Sequence, residues 1–199
     1  MRHLVPALAL LTALPAAAAE RSGDPLRPLL DCRYRDGFAA VDRARLPEKV
    51  RERSVVTELG PKNVSLLDGY RAVLAYPSAA YFANLKIERS QPERYAADKE
   101  AILSSMRRMA FGDPHNPLQL RNETRAGIEI HGLDQPDLSA AGPIALYSLF
   151  DDQRQWITTI FFLNQKPGSG GQAFRNLEQF RQQRDRMIED YLGCMAKQK

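Results

Sequence analysis

Short apolar runs, some alternating with polar residues, predict β-strands in two blocks of the chain. The predicted strands are residues 54–59, 64–67, 70–76 and 81–88 in the first block, and 118–122, 127–131, 144–150 and 156–163 in the second. Turn-forming residues at 60–63 and the pair Asp68–Gly69 separate strands of the first block. The last two strands carry apolar residues at successive positions, which indicates a sheet covered on both faces.

Apolar residues at three- and four-residue spacing predict two main helices. The first follows a capping-box sequence at residues 90–93 and ends at Gly112. The second begins near Phe174 and keeps its apolar stripe to Met195. A short helix is also predicted within residues 36–52, broken by its proline. The order of elements predicts an α+β fold: a largely antiparallel sheet of about six or seven strands covered by two main helices, an α/β/α sandwich.

The N-terminal residues follow the pattern of a secretory signal peptide. Two basic residues follow the first methionine, an apolar run extends to Leu14, and four alanines end the segment. The apolar run is shorter than the roughly 20 residues that a membrane-spanning helix needs. We predict that residues 1–19 are a signal peptide cleaved between Ala19 and Glu20, and that the mature chain is periplasmic or secreted.

Export to an oxidising compartment gives the two cysteines a structural interpretation. Cys32 lies in the predicted N-terminal segment, residues 20–53, and Cys194 lies on the apolar stripe of the last helix. We predict a Cys32–Cys194 disulfide that ties this segment to a single globular domain formed by residues 54–199. Two free buried thiols are the alternative.

Composition and charge restrict the class of partner. The 28 basic and 24 acidic residues leave a formal net charge of +4, and the two signs are interspersed. Such a mixed surface does not support nucleic-acid binding. No second long apolar run is present, so the mature chain is not expected to insert into a membrane.

Four features together carry a resemblance to a known family: the residues Asp68-Gly69-Tyr70 leading to Leu74-Ala75-Tyr76-Pro77, the helix 92–111, the hairpin 144–163 and the helix from Phe174. In this order they resemble the PsbP-like family. Its α/β/α sandwich is shared by an oxygen-evolving photosystem subunit, a Ran-binding nuclear import factor and small bacterial exported proteins. The resemblance covers about residues 55–192 and implies an accessory role, because members mostly act by docking to partners. It assigns no functional residue.

Candidate chemistry in the mature chain is confined to a few polar residues. Glu129 and His131 occupy alternate positions of one predicted strand, so both side chains point to the same face. An acid and an imidazole on one face are able to transfer a proton or to contribute to a metal site. A solvent-exposed polar face is the simpler interpretation. His115, in a loop with two prolines, is a third candidate ligand, and a surface turn is its alternative.

The sequence contains none of the GxSxG, HExxH or SxxK motifs of known enzyme classes, and no cofactor is predicted. Our leading hypothesis is an exported, non-catalytic accessory domain that binds an unidentified protein partner of the bacterial envelope. The first alternative is a metal-binding or hydrolytic enzyme that uses Glu129 and His131. The second is a small-ligand carrier with a pocket between the sheet and the first main helix.

Overall fold

The computed structural model describes residues 24–75, 81–115, 118–135, 143–164 and 176–198. The predicted signal peptide, residues 1–19, and its predicted cleavage between Ala19 and Glu20 lie outside the described residues. In chain order the elements are a short 3-10 helix Arg27–Asp31, β1 Ala39–Arg45, α1 Glu48–Arg51, β2 Glu52–Thr57, β3 Gly60–Ala75, β4 Tyr81–Ser90, α2 Tyr95–Phe111, β5 Gln119–Arg125, β6 Ile128–Gln135, β7 Ile144–Asp151, β8 Trp156–Asn164 and α3 Leu177–Ala196.

Neighbouring strands pair antiparallel in the order β1-β3-β4-β8-β7-β6-β5, and β2 also pairs with β3. Strand β3 is long enough to pair with both strands that precede it in the chain. Strand β1 pairs with residues 70–75 of β3, and β2 pairs with residues 60–65. Helix α2 carries the chain from β4 to β5 at the far edge of the sheet. The architecture confirms the predicted α+β fold with a largely antiparallel sheet and two main helices.

The two faces of the sheet are covered by different parts of the chain. One face, which we call the covered face, packs against α3 and residues 24–38, and its buried apolar side chains form the largest core cluster. The other, which we call the groove face, packs against α2 and the β2–β3 hairpin. In the part of the chain that the structure describes, no helix is long and apolar enough to cross a membrane.

The predicted short helix within residues 36–52 is wrong over most of its length. Residues Ala39–Arg45 form strand β1, and only Glu48–Arg51 make one helical turn. The alanines and arginines of this segment favour a helix locally, but the backbone of β3 offers a row of antiparallel partners from Ala75 to Tyr70. Tertiary pairing therefore overrides local propensity.

The two predicted turns of the first block are also wrong. Strand β3 runs unbroken through residues 60–63, and the hairpin turn lies at Glu58–Leu59 instead. At Asp68 the pairing with β4 shifts register, so the pair Asp68–Gly69 follows a β-bulge within β3. A Cβ atom on Gly69 would lie 2.9 Å from the carbonyl oxygen of Ile87, which explains why a glycine is required inside this strand.

The predicted capping box does not cap the first main helix. Helix α2 begins at Tyr95, after an N-cap residue that makes no side-chain hydrogen bond to it. Ser90 ends strand β4, and its hydroxyl donates to Asp98 at 2.6 Å. The predicted end at Gly112 is confirmed, since this residue is the C-cap. The predicted start of the second helix at Phe174 lies outside the described residues, and α3 begins at Leu177 after an Asn176 side-chain cap.

The predicted disulfide between Cys32 and Cys194 is confirmed, with the two Cα atoms 5.8 Å apart. It joins the end of the N-terminal 3-10 helix region to the last turns of α3. The bond closes a loop of 162 residues, which is worth about 5 kcal/mol in the chain-entropy description. Both layers that cover this face of the sheet are therefore held to one another covalently.

The covered face also contains a closed ion pair. The guanidinium of Arg184 on α3 is fully buried and donates to Asp134 on β6, while its Nε donates to Asp185 at 2.9 Å. Tyr147 lies beside this pair, across from Gly132 on the neighbouring strand. A Cβ atom on Gly132 would lie 2.4 Å from the Tyr147 ring, so the glycine makes room for the aromatic side chain.

Candidate functional site

The register of the strands divides the groove face into rows that cross the sheet. One row is mostly apolar and contains Val73, Asn84, Phe161, Leu146, Leu133 and Leu120 on six successive strands. The adjacent row is polar and contains Arg71, Lys86, Thr159, Ser148, His131 and Asn122. Directly paired residues of antiparallel strands point to the same face, so each row forms a continuous band of side chains.

Helix α2 covers only part of these rows. Its Met106 and Ala110 pack on Leu133, at the β6 end of the apolar row. At the β3–β4 end the rows are the floor of an open groove of about 700 Å³, whose wall is formed by residues 44–47, at the end of β1 and before α1. This volume lies within the range of roughly 300–1,000 Å³ that is typical of small-ligand pockets.

The groove does not lie where the sequence placed a ligand pocket. The prediction set it between the sheet and the first main helix, whereas its wall comes from the end of β1 and the residues before α1. Met109 of α2 lines a separate cavity of about 90 Å³, and Phe161 lines both cavities. The apolar floor therefore continues from the groove towards α2.

Two charged residues of this groove have no hydrogen-bonded acidic partner among the described residues: Arg45, which is exposed at the wall, and Lys86, which lies on the floor. The Lys86 ammonium lies 3.8 Å from the Glu88 carboxylate, too far for a hydrogen bond. The Glu88 side chain is fully buried, and both its oxygens accept from Arg53, at 2.6 and 2.9 Å. Among the described residues no hydrogen-bond acceptor contacts the Lys86 ammonium. Burial lowers the pKa of Lys86, and the nearby carboxylate of Glu88 offsets this only in part.

The predicted pair Glu129 and His131 does come together on the groove face. The Nε2 atom of His131 lies 2.5 Å from Oε1 of Glu129, and the His131 ring packs edge-on against Phe150. The pair is partly covered, since 13% of the His131 side chain and 35% of the Glu129 side chain are exposed. The predicted polar face is therefore open to solvent more at Glu129 than at His131.

Three residues that the sequence analysis missed complete what we call the polar cluster: Tyr95, Lys99 and Asp152, together with Glu129 and His131. The ammonium of Lys99 donates to Glu129 at 2.5 Å and to Asp152 at 2.8 Å. The hydroxyl of Tyr95 donates to the same carboxylate of Asp152 at 2.7 Å. The cluster thus ties the first turns of α2 to β6 and to the β7–β8 turn.

The polar cluster satisfies its own charges. Burial raises the pKa of Glu129, but hydrogen bonds from Lys99 and His131 outweigh this and hold the pKa below its ordinary value. Burial and the same ammonium act on Asp152, whose pKa is also lowered. A carboxylate with a lowered pKa that already accepts two hydrogen bonds is a weak general base. The cluster is therefore better suited to fixing α2 on the sheet than to transferring protons.

His115, the third predicted ligand, lies apart from this pair. It is exposed in the loop after α2, and its backbone N–H donates to Asp113 at 2.9 Å. Within the described parts of the chain His115 makes no contact with Glu129 or His131, and no group of three acidic, histidine or cysteine side chains is placed to hold a metal ion. The surface-turn interpretation of His115 agrees with its position.

Comparisons of the chain with protein-family models, with curated proteins and with solved structures find no match. The resemblance to the PsbP-like family therefore stays a prediction. Function is inferred from the groove and the polar cluster themselves.

Proposed function

We propose that the chain is an exported, non-catalytic binding protein of the bacterial envelope, and that its groove holds a small elongated ligand. The observation that carries this proposal is the open groove of about 700 Å³ on a sheet face that is otherwise covered. Antiparallel sheets commonly leave one face in water, but a concave floor with an apolar row is typical of a ligand site.

Export is supported by two independent features of the chain. The N-terminal residues follow the pattern of a signal peptide, and the Cys32–Cys194 disulfide belongs to an oxidising compartment. The envelope protein partner that the sequence suggested stays a prediction.

The polar cluster supports a non-catalytic role over the alternative enzyme. Glu129 and Asp152 are both paired with Lys99, and α2 lies over the pair of Glu129 and His131. The groove lies on other strands, with Lys86 and Thr159 in its floor and no member of the polar cluster in its lining. A ligand in the groove would therefore not meet these acid–base groups.

Titration with the neutral apolar fluorophore N-phenylnaphthylamine tests the binding role. The wild-type protein, with its disulfide intact, is expected to bind the probe and raise its fluorescence. Thr159→Trp places a large side chain on the groove floor and should weaken binding by tenfold or more, because it fills the space that the probe needs.

Val56→Trp is the matched control, since it introduces the same side chain at an exposed strand position outside the groove. Both variants must first show the wild-type circular dichroism spectrum. Absence of probe binding to the wild-type protein, or equal loss in both variants, would overturn the proposal.

A further inference from the structure

We propose that the ligand of the groove is a fatty acid, a single aliphatic chain whose carboxylate is held by Lys86. This inference rests on the proposed binding function and adds the chemical class of the ligand. It follows from the charges around Lys86 and from the direction of the apolar row.

The charges at the β3–β4 end of the groove leave Lys86 and Arg45 without a hydrogen-bonded acidic partner among the described residues. Arg53 is paired with Glu88 through two hydrogen bonds, and Arg71 is paired with Asp42 at 3.3 Å. Arg45 is exposed at the wall, whereas the ammonium of Lys86 lies on the floor beside the apolar row. A ligand whose chain follows that row places its head group at Lys86, and an anion matches this charge.

The Lys86 ammonium is placed to donate to such an anion. It projects from β4 on the groove face, beside Thr159, and 32% of its side chain is exposed. Hydrogen bonds from an ammonium to a carboxylate are about twice as strong as neutral ones. A carboxylate in the groove would supply an acceptor within hydrogen-bond distance, which Glu88 does not at 3.8 Å.

The apolar row indicates where the aliphatic chain lies. Phe161 is diagonal to Lys86 across β4 and β8, and it lines both the groove and the smaller cavity beside Met109. Leu146 and Ile144 continue the lining of that cavity. A chain that starts at Lys86 can therefore run over Phe161 towards Met109 and remain on apolar side chains throughout.

The charge of Lys86 separates the classes of amphiphile that suit the groove, whose floor spans three strands, β3, β4 and β8. An alcohol offers the ammonium only a neutral acceptor, which makes a weaker hydrogen bond than a carboxylate. A cationic amphiphile would be repelled by the ammonium.

Isothermal titration of the oxidised protein with dodecanoate, dodecanol and dodecyltrimethylammonium tests this inference. The three probes share one chain and differ in the charge of the head group. We expect dodecanoate to bind about tenfold more tightly than dodecanol, which corresponds to about 1.4 kcal/mol for a charge-assisted hydrogen bond. Dodecyltrimethylammonium should bind most weakly.

Lys86→Met should remove the preference for dodecanoate over dodecanol, while Lys86→Arg should retain this preference. Lys62→Met is the matched control, because Lys62 is an exposed lysine on β3 outside the groove. Lys86→Arg also shows whether position 86 tolerates substitution, because it keeps the positive charge and changes only the shape of the side chain.

The outcomes separate the two proposals. If N-phenylnaphthylamine binds in the groove but dodecanoate binds no better than dodecanol, the inference on the fatty acid is wrong and the binding function stands. The inference is equally wrong if Lys86→Met keeps the full preference. If none of the probes binds, both proposals fail.

Discussion

The covered face and the groove face belong to one sheet but are closed to different degrees. On the covered face, α3 and residues 24–38 bury apolar side chains from five strands in one cluster. On the groove face, α2 and the β2–β3 hairpin bury two smaller clusters and leave the β3–β4 end open. The difference shows that burial on one face supplies most of the core, which leaves the other face available for a ligand.

Chain connectivity explains the unequal cover. Helix α2 joins β4 to β5 and crosses the groove face from Val64 and Leu66 of β3 to Leu133 of β6. No residue of α2 lines the groove, which lies beside this path, at residues 71–73 of β3. Helix α3 follows β8, and the disulfide joins it to the N-terminal segment, which extends the cover on the opposite face towards β3. A second crossover helix that could close the groove is absent from the described residues.

The buried charges on the two faces differ in the same way. Arg184 on the covered face is fully buried and has acidic partners within the chain, Asp134 and Asp185. Lys86 on the groove face has one acidic neighbour, Glu88, whose carboxylate lies 3.8 Å away, beyond hydrogen-bond distance. A closed pair belongs to the core, whereas an ammonium without an acceptor is suited to binding an anion.

The largest effect is expected from breaking the closed pair. Arg184→Met leaves Asp134 buried without its partner, which should lower the free energy of unfolding by about 4 kcal/mol. The double variant Arg184→Met, Asp134→Leu should recover most of this loss, because no buried charge remains. Urea denaturation of the oxidised protein measures both effects.

Arg186→Met is the control on the same helix. Its ion pair with Asp36 is largely exposed, so its loss should cost less than about 1 kcal/mol. If Arg184→Met lowered the free energy of unfolding no more than Arg186→Met does, the pair of Arg184 and Asp134 would not be part of the core.

A change in stability of intermediate size is expected at the close contact between Gly132 of β6 and the Tyr147 ring of β7. Gly132→Ala places a methyl group against the Tyr147 ring and should lower the free energy of unfolding by about 2 kcal/mol through overpacking. Gly193→Ala is the opposite case, since nothing lies within 4 Å of a Cβ there. It should stabilise α3 by about 0.5–1 kcal/mol. Thermal denaturation compares the two, and equal shifts would contradict this account.

The smallest effect is expected from the polar cluster on the groove face. The pKa of Glu129 and that of Asp152 are lowered in the folded protein, so their stabilisation is present above the ordinary carboxyl pKa. It is lost as the pH falls through the lowered values. Lys99→Met should therefore lower the free energy of unfolding by less than about 1 kcal/mol at neutral pH. Solvent screens the partly exposed carboxylates of Glu129 and Asp152.

The test is the pH dependence of that cost. The difference in unfolding free energy between wild type and Lys99→Met should shrink as the pH is lowered from about 5 to about 3. Lys62→Met, on an exposed strand position, should show no such trend. A constant difference for Lys99→Met would mean that Lys99 does not hold these carboxylates.

Local sequence patterns determined most of the elements and one pair of the candidate residues. The helical stripe placed Cys194 on the buried side of α3, and strand alternation placed Glu129 beside His131. Both patterns depend on a backbone period that a few neighbouring residues establish. The α+β class follows in the same way from the order of the elements.

Only the tertiary structure decided the rest, because it depends on which strands pair and in what register. The pair Asp68–Gly69 favours a turn locally, but the ion pair of Asp68 with Arg89 and the approach of Gly69 to Ile87 keep β3 continuous. Lys86 lines the groove together with residues of β1 and β8, and Lys99 donates a hydrogen bond to Glu129. These residues are too far apart in sequence for a local pattern to bring them together. The open groove itself exists because the path of α2 from β3 to β6 passes beside residues 71–73 of β3 and leaves them uncovered.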